Sequence, residues 1–390
     1  MRTIPTVLLM MEMLRASTRG HLAGIAKYSR LHGPWTFYRQ PLSYLQPYQN
    51  TAKAEPSPTG TIDGIITYIT HKKELQSLPA GVPTIIIPFL ELIPGFPNMT
   101  TSGLSGKMGA EYFLERGFQH FAFCGFPDIY WSQLRSGHFE QAIRRAGFAA
   151  HIYQPPRTIA QTKHLWSVEQ QYVVTWLLSL PKPIGIMACN DDRGQKVLDA
   201  CKTAGLLVPE QVAVLGVDND DMICDITDPP LSSIAVNFET VGYEAAKLLD
   251  QLMKGEKYTG QTIPPVSPIR VVTRQSTDIL AVEDAEIAAA LRFIRRNRNQ
   301  AIRVGDVVNA TTASRRSLEK RFRSVLNRSI LDEIRHIRMN HMAQLLAETD
   351  MTIEQIALAL GLPDSKHIAE LFRRELGLTP RAYRRNFSSK

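Results

Sequence analysis

Short apolar runs alternate with longer amphipathic stretches over the first two thirds of the chain. Runs at 6–11, 64–68, 84–87, 120–124, 185–188 and 212–217 have the length and β-branched content of buried strands. Between them, 20–32, 103–116, 131–146, 169–179, 192–204 and 238–254 carry the helical period. Strand alternating with helix predicts βαβ units and a parallel sheet. About 270 residues exceed one common doubly wound unit, so two α/β lobes are expected. The pattern changes after 264–277, and 285–387 reads as short helices with tight turns. The expected organisation is therefore an α/β domain over 1–275, a connector over 276–285 and an all-α domain over 286–390. No repeat of solenoid period and no low-complexity run interrupts this. The stretch 46–60, rich in Pro, Ser and Thr, reads as a surface loop.

One strand ends oddly. Val212, Val214, Leu215 and Val217 read as buried, and then the chain runs into Asp218-Asn219-Asp220-Asp221. A solvated turn is the plain explanation. A binding site is the sharper one, because ligands of open α/β sheets sit outside the carboxyl ends of the strands.

Composition narrows the classes. The 390 residues are 44% hydrophobic and 21% charged, ordinary for a soluble globular protein. Cys124, Cys189, Cys201 and Cys224 lie far apart without CxxC pairing, which argues against zinc or redox chemistry and for small buried side chains in a reducing cytosol. No motif asks for a cofactor. The apolar run Val7 to Met11 is too short for a secretory signal or a membrane span, so an unexported protein with no membrane partner is expected. Charge is uneven. From residue 281 onward there are 20 Lys and Arg against 13 Asp and Glu, and before it 25 against 24. A near-neutral body with a basic terminal domain is the footprint of nucleic-acid binding.

The stretch GLSGKMG at 103–109 has a Gly-Lys pair but not the spacing of a phosphate loop. A helix N-terminus capped by Ser102 or Ser105 is the better reading. The basic region is more specific. A helix ends near Ala310, residues 311–313 turn the chain, and Ser314 caps a second helix. Its Leu318 and Phe322 face inward, while Arg315, Arg316, Glu319, Lys320 and Arg323 face out. Helix, three-residue turn and basic-fronted helix make a helix-turn-helix. The pattern returns at 352–380. Thr352 with Gln355 forms a capping box, and Ile353, Ile356, Ala357 and Leu360 form the inner stripe. Gly361 turns, and Asp364-Ser365-Lys366-His367 opens a second recognition-like helix packed through Ile368, Leu371 and Phe372. Residues 330–348 can link the two as one helix.

Two such units on one linking helix, closing on Phe372-Arg373-Arg374, Gly377, Thr379-Pro380 and Tyr383-Arg384, resemble the AraC-type transcription regulators over roughly 286–387. Thr312 stands where that family often has a turn glycine, Leu362 and Ile368 where it often has Phe, and Asn327 where it often has glycine. Upstream, Asn190-Asp191, Gly194, Val208-Pro209-Glu210, Gly216-Val217-Asp218 and 230–234 resemble the effector domains of lactose-repressor-type regulators and periplasmic sugar-binding proteins. Residues 239–253 continue that match. The resemblance thus implies a two-lobed α/β domain of the periplasmic-binding-protein type before an all-α domain with two helix-turn-helix units. Joined in this order, the two resemble the bacterial xylose-operon regulators over almost the full length.

That resemblance implies a sugar-responsive regulator, an activator of pentose (D-xylose) genes or one answering another monosaccharide or none. The residues suit the chemistry. Sugar hydroxyls donate and accept, so carboxylates, amides and guanidinium groups meet them, and an aromatic face stacks on the C–H side. Asn190, Asp191, Asp218 and Asn219 stand at strand ends, and Arg135 lies where sugar-binding relatives place an arginine. Trp131 could stack or serve the core. Arg15, Ser17, Arg19, Glu91 and Ser102 are first-lobe candidates. Asp191 is equally explained as a helix cap, and Asp220 and Asp221 as solvated. On DNA, Ser314, Arg315, Arg316, Ser365, Lys366 and His367 are expected at base edges and Arg323, Arg373 and Arg384 at phosphates. Glu319, Lys320, Asp364 and Arg374 complete that set. A periplasmic binding protein would need an export signal. A glycosidase would need a carboxylate pair such as Asp191 and Asp218 with one raised pKa, and the fused DNA-binding pattern argues against it. The expected partners are operator DNA, a monosaccharide, RNA polymerase and a second copy of the chain.

Overall fold

In the computed structural model the described residues are 4–11, 15–39, 61–70, 72–156, 166–279, 284–326, 328–361 and 365–387. Two compact units divide the chain, Met1–Ile279 and Leu280–Lys390.

The first unit holds two sheets. Strands β1 (Thr6–Met10), β2 (Thr36–Arg39), β3 (Gly64–Ile69) and β4 (Thr84–Pro88) form a parallel sheet in the order β2-β1-β3-β4. Strands β5 (His120–Cys124), β6 (Ala150–Ile152), β7 (Ile184–Ala188), β8 (Val212–Val217), β9 (Ser232–Val236) and β10 (Pro268–Val272) form a second, in the order β10-β9-β8-β7-β5-β6. Only β10 runs antiparallel in it. β7 and β8 are buried along their whole length, as parallel strands covered on both faces must be. The unit is therefore the two-lobed α/β fold the pattern predicts.

Two helix pairs pack closely enough to require glycine at the crossing. Helix α1 (Ala16–His32) lies against Phe238–Met253, where Ile25, Tyr28, Val241, Ala245 and Leu249 share one core. A Cβ on Gly242 would stand 2.1 Å from the His21 carbonyl oxygen, so only glycine lets the helices meet there. Helices α2 (Leu104–Glu115) and α3 (Tyr130–Arg145) pair similarly, with a Cβ on Gly106 falling 2.0 Å from the Arg135 carbonyl oxygen. The cap of α2 differs from expectation. Its N-cap is Gly103 at φ +69°, Ser105 is buried inside the helix, and the Ser102 hydroxyl accepts from Leu104 N at 3.3 Å.

The segments that join the lobes lie side by side. Ser102 N and Oγ donate to the Val266 carbonyl at 2.9 and 3.2 Å, Val266 N donates to Thr100 O at 2.7 Å, and Ser267 N donates to Asn237 Oδ1 at 2.6 Å. Cys124, Cys189, Cys201 and Cys224 are buried free thiols.

The second unit is helical. Helices at Ala285–Arg296, Val304–Asn309 and Arg315–Leu326 pack on the first half of the helix Ile330–Glu348 through Ile330, Ile334 and Ile337. Helices at Ile353–Ala359, Ser365–Leu376 and Pro380–Phe387 pack on its second half through Met339, Met342, Ala343 and Leu346. One linking helix thus serves two cores, with each stripe at helical spacing. Local signals set the helix boundaries here. Ser329 and Asp332 form a capping box, as do Thr352 and Gln355. Gly361 turns at φ +65°. Thr312, standing in place of a turn glycine, needs no left-handed backbone. Its N–H and hydroxyl donate to Glu286 at 2.8 and 2.6 Å, and Ala313 N donates to the same carboxylate at 3.1 Å. Asn327, Leu362 and Asp364 lie outside the described residues.

Candidate ligand cavity and nucleic-acid interface

The carboxyl ends of the parallel strands face one another across the cleft of the first unit. There they enclose a cavity with about 600 Å³ of free space, part of it open to solvent. Tyr68 is the penultimate residue of β3, Phe89 follows β4, Asn190 follows β7 and Asp218 follows β8. Arg15, Ser17 and His21 come from the start of α1, and Tyr130, Trp131 and Arg135 from α3. Thr100, Thr101, Phe238 and Val266 close the wall at the joining segments.

Arg135 and Asp218 form its polar floor. Arg135, 4% exposed, donates from Nη2 to Asp218 Oδ1 at 3.0 Å and from Nη1 to the Cys189 carbonyl. Its guanidinium carbon lies 5.2 Å from the Trp131 ring centroid. Burial pushes the Asp218 carboxyl above its ordinary range, and the Arg135 guanidinium opposes that shift. Asp218 and Asn219 have φ of +105° and +50°, the only non-glycine residues at positive φ among those described. Asp and Asn tolerate that backbone better than other side chains, which explains their place at this turn.

Of the residues expected to meet a sugar, Arg15, Ser17, Trp131, Arg135, Asn190 and Asp218 line the cavity. Asn190 does so while capping a helix, its Oδ1 accepting from Arg193 N at 2.9 Å. The other five lie outside the lining. Asp191 is buried, accepting from Ser233 Oγ at 2.5 Å and Asp220 N at 2.7 Å. A Cβ on Gly216 would fall 2.2 Å from its carboxylate. Burial pushes its pKa well up, and nearby Asp218 adds to the shift. Asn219 accepts from Arg274, Glu91 is exposed beside Lys72 at 3.5 Å, and Ser102 holds the joining segments. Arg19 donates to Asp220 at 2.6 Å. Asp220, read as solvated, is 4% exposed and also accepts from Ala16 N at 2.8 Å, so it ties α1 to the second sheet. Asp221 is exposed yet accepts from Arg274 at 3.0 Å. The carboxylates of Asp191 and Asp218 therefore do not both face the cavity, as a glycosidase pair would. His21, Tyr68, Phe89, Tyr130 and Phe238 were not anticipated. Their positions after strands or near helix starts are the only local signal.

The helical unit presents the first recognition-like helix outward. Ser314, Arg315, Arg316, Lys320 and Arg323 are exposed, and Arg315 pairs with half-buried Glu319 at 3.0 Å. Leu318 and Phe322 are fully buried beneath them. Ser365, Lys366 and His367 begin the corresponding helix of the second helix-turn-helix, and Arg373 and Arg374 are exposed in its last turn. Arg384 has a different position. Its guanidinium donates to the carbonyls of Leu346, at 3.2 Å, and Met351, closing the end of the linking helix. No described helix is long and apolar enough to cross a membrane.

Comparison with known proteins agrees with this arrangement. The periplasmic binding protein-like domain family matches residues 110–277 and the helix-turn-helix domain family matches 307–386. The xylose operon regulatory protein of Haemophilus influenzae is 31% identical over 335 residues, 84% of this chain and 86% of that protein. That of Escherichia coli K12 is 32% identical over 273 residues, 69% of each. The solved structure of the xylose-binding transcription activator xylR superposes with a TM-score of 0.74 at 25% identity, covering 100% of both chains. The chain belongs to the xylose operon regulatory protein family, sugar-responsive DNA-binding transcription regulators.

Proposed function

We propose that the first unit binds a pentose, D-xylose in the first instance, in the cavity between its lobes, and that the bound state governs operator binding by the helical unit and activation of pentose catabolism genes. The single observation that carries the reading is the Arg135–Asp218 pair, a buried guanidinium and a part-buried carboxylate, in a cavity with Asn190 and the Trp131 ring. A paired carboxylate and guanidinium suit the donor-acceptor character of sugar hydroxyls, and aromatic walls suit the C–H faces. The relatives' names support the choice of sugar.

On DNA, Ser314, Arg315 and Arg316 reach base edges from the first recognition helix, and Ser365, Lys366 and His367 from the second. Arg323 and Arg373 meet phosphates, as sequence-independent anchors. Two copies of the chain bind paired half-sites in the cytoplasm, because a two-fold protein matches a two-fold operator. As an activator it contacts RNA polymerase. Sugar closing the lobes shifts the β8 turn, and Arg274 passes that shift to the segment leading out of the unit.

Calorimetric titration with D-xylose, L-arabinose, D-ribose and D-glucose tests the sugar, and operator binding at fixed salt tests the response. Saturable D-xylose binding that changes operator affinity is expected. No binding by any of the four would overturn the effector assignment. Preference for another of them would replace the pentose named.

A further inference from the structure

Helix α1 brings to the cavity wall a buried imidazole that the proposed sugar contacts leave unused. His21 lines the cavity and is 3% exposed. Neither ring nitrogen has a hydrogen-bond partner among the described residues. The ring stands edge-on to Phe238 at 5.1 Å, and its backbone is pinned against Gly242. Ser17, one turn before it at i−4, shares its helix face and lines the same cavity. Burial lowers the imidazole's pKa to about 3, so the ring is neutral near pH 7.

A neutral imidazole carries one donor and one acceptor. Arg135 and Asn190, on the same wall, have protein partners, although Arg135 Nε has none among the described residues. Arg135 donates to Asp218 and Cys189, and Asn190 bonds Arg193 N and Asp192. Guanidinium groups only donate and carboxylates only accept, whereas the His21 ring offers one valence of each kind. Buried polar atoms are seldom left unmet in native proteins, and an apolar residue would fill the same space without that cost. A hydroxyl is the complementary group, since it also donates and accepts.

We propose that His21 is a specificity-determining contact of the cavity, donating to one hydroxyl and accepting from another of a neutral polyol ligand. The proposal rests on the reading of this cavity as a monosaccharide site and adds the contact that selects hydroxyl pattern. An uncharged ring favours the neutral sugar over its acid, which a protonated histidine would not.

The test is a cycle between residue and ligand on the full chain. Calorimetry compares wild type, His21→Leu and His21→Gln against D-xylose and its monodeoxy analogues, with a sugar-free thermal midpoint for each protein. In His21→Leu the sugar-free midpoint is unchanged or higher, because an unmet polar group is removed. Its D-xylose affinity falls about tenfold or more. For an analogue lacking either contacted hydroxyl, the ratio of wild-type to His21→Leu affinity is smaller than for D-xylose, the non-additivity expected of groups in contact. His21→Gln, with a donor and an acceptor, recovers part of the loss and serves alone should the leucine variant not fold. If His21→Leu binds D-xylose as tightly as wild type, or every analogue loses the same factor in both proteins, this proposal is overturned while the sugar reading stands. Wild type that binds no sugar overturns both.

Discussion

Arg274 Nη1 donates to Asn219 Oδ1 at 2.9 Å, and through this bond the turn beside Asp218 is tied to the segment that leaves the first unit. Arg274 is 7% exposed. It also bonds Asp221 at 3.0 Å, Asp225 at 2.9 Å and the Leu231 carbonyl at 3.2 Å. Its own N–H donates to Ser232 Oγ at 2.7 Å, and Ser276 and Thr277 beyond it are fully buried against Ser232. A chain of hydrogen bonds thus runs from the β8 turn through Arg274 and Ser232 to Thr277, whose carbonyl accepts from Ile279 N.

The coupling can be measured by linkage. Whatever factor sugar adds to operator affinity, operator adds to sugar affinity. Asn219→Ala removes the bonds of its side chain to Arg274 and Asp221 and none of the cavity lining. It is expected to leave D-xylose affinity within about threefold of wild type while reducing the coupling factor, typical coupling energies being about 1–3 kcal/mol. Titrations with and without operator that give the wild-type coupling would show that the route runs elsewhere.

Asp218→Ala leaves Arg135 buried without its carboxylate and removes the charged acceptor of the cavity. The loss of D-xylose affinity should be about tenfold to a hundredfold, from roughly 1.5–3 kcal/mol for a hydrogen bond to a charged group. Equal calorimetric affinity for variant and wild type would move the site away from Asp218.

Asp191 gives a pH signature. Its folded-state pKa is raised above the ordinary 3.8, so the folded protein holds a proton that the unfolded chain releases earlier. Stability is then fully present below about 3.8 and declines as pH rises toward the folded value. Asp191→Asn keeps an acceptor for Asp220 N and can donate to Ser233. Its thermal midpoint should exceed wild type at pH 7.5, with the difference shrinking toward pH 4. A variant less stable than wild type at both pH values would mean that the ionised carboxylate is needed.

The two kinds of arginine in the helical unit should separate on DNA. Arg316→Ala is expected to cost about 1–3 kcal/mol and relax preference at one base pair. Arg323→Ala should weaken all sequences alike and lower the salt slope by about one. Binding curves for both across a salt series, on the operator and on scrambled DNA, decide the assignment.

Arg384→Ala should act on stability instead. Two charge-assisted bonds to the carbonyls of Leu346 and Met351 are lost. A cost of about 1–3 kcal/mol to the second half of the unit is expected, read as a lower melting temperature. The salt slope of DNA binding should not change. A reduced slope with unchanged melting would restore Arg384 to the phosphate contacts.

What the sequence determined by itself was local. Buried parallel strands read as apolar runs because both faces are covered, so β1, β3, β4, β5, β7 and β8 stand where the pattern put them. Capping boxes at Thr352 and inner stripes such as Leu318 with Phe322 are set by neighbours within four residues, and the helix-turn-helix units followed. Tertiary structure decided the rest. β2 lies on a sheet edge and is largely exposed, so it carries no apolar run. β9 begins with Ser232 and Ser233, polar yet wholly buried, because Arg274, Asp191 and the 276–277 segment satisfy them from more than forty residues away. Asp220 and Arg384 have the composition of solvated acid and phosphate contact, and each instead bonds backbone far along the chain. Periodicity records which side of an element meets the core. It carries no record of which distant polar partner a buried group will find, and that pairing assigns Asp191 and Arg274 their places.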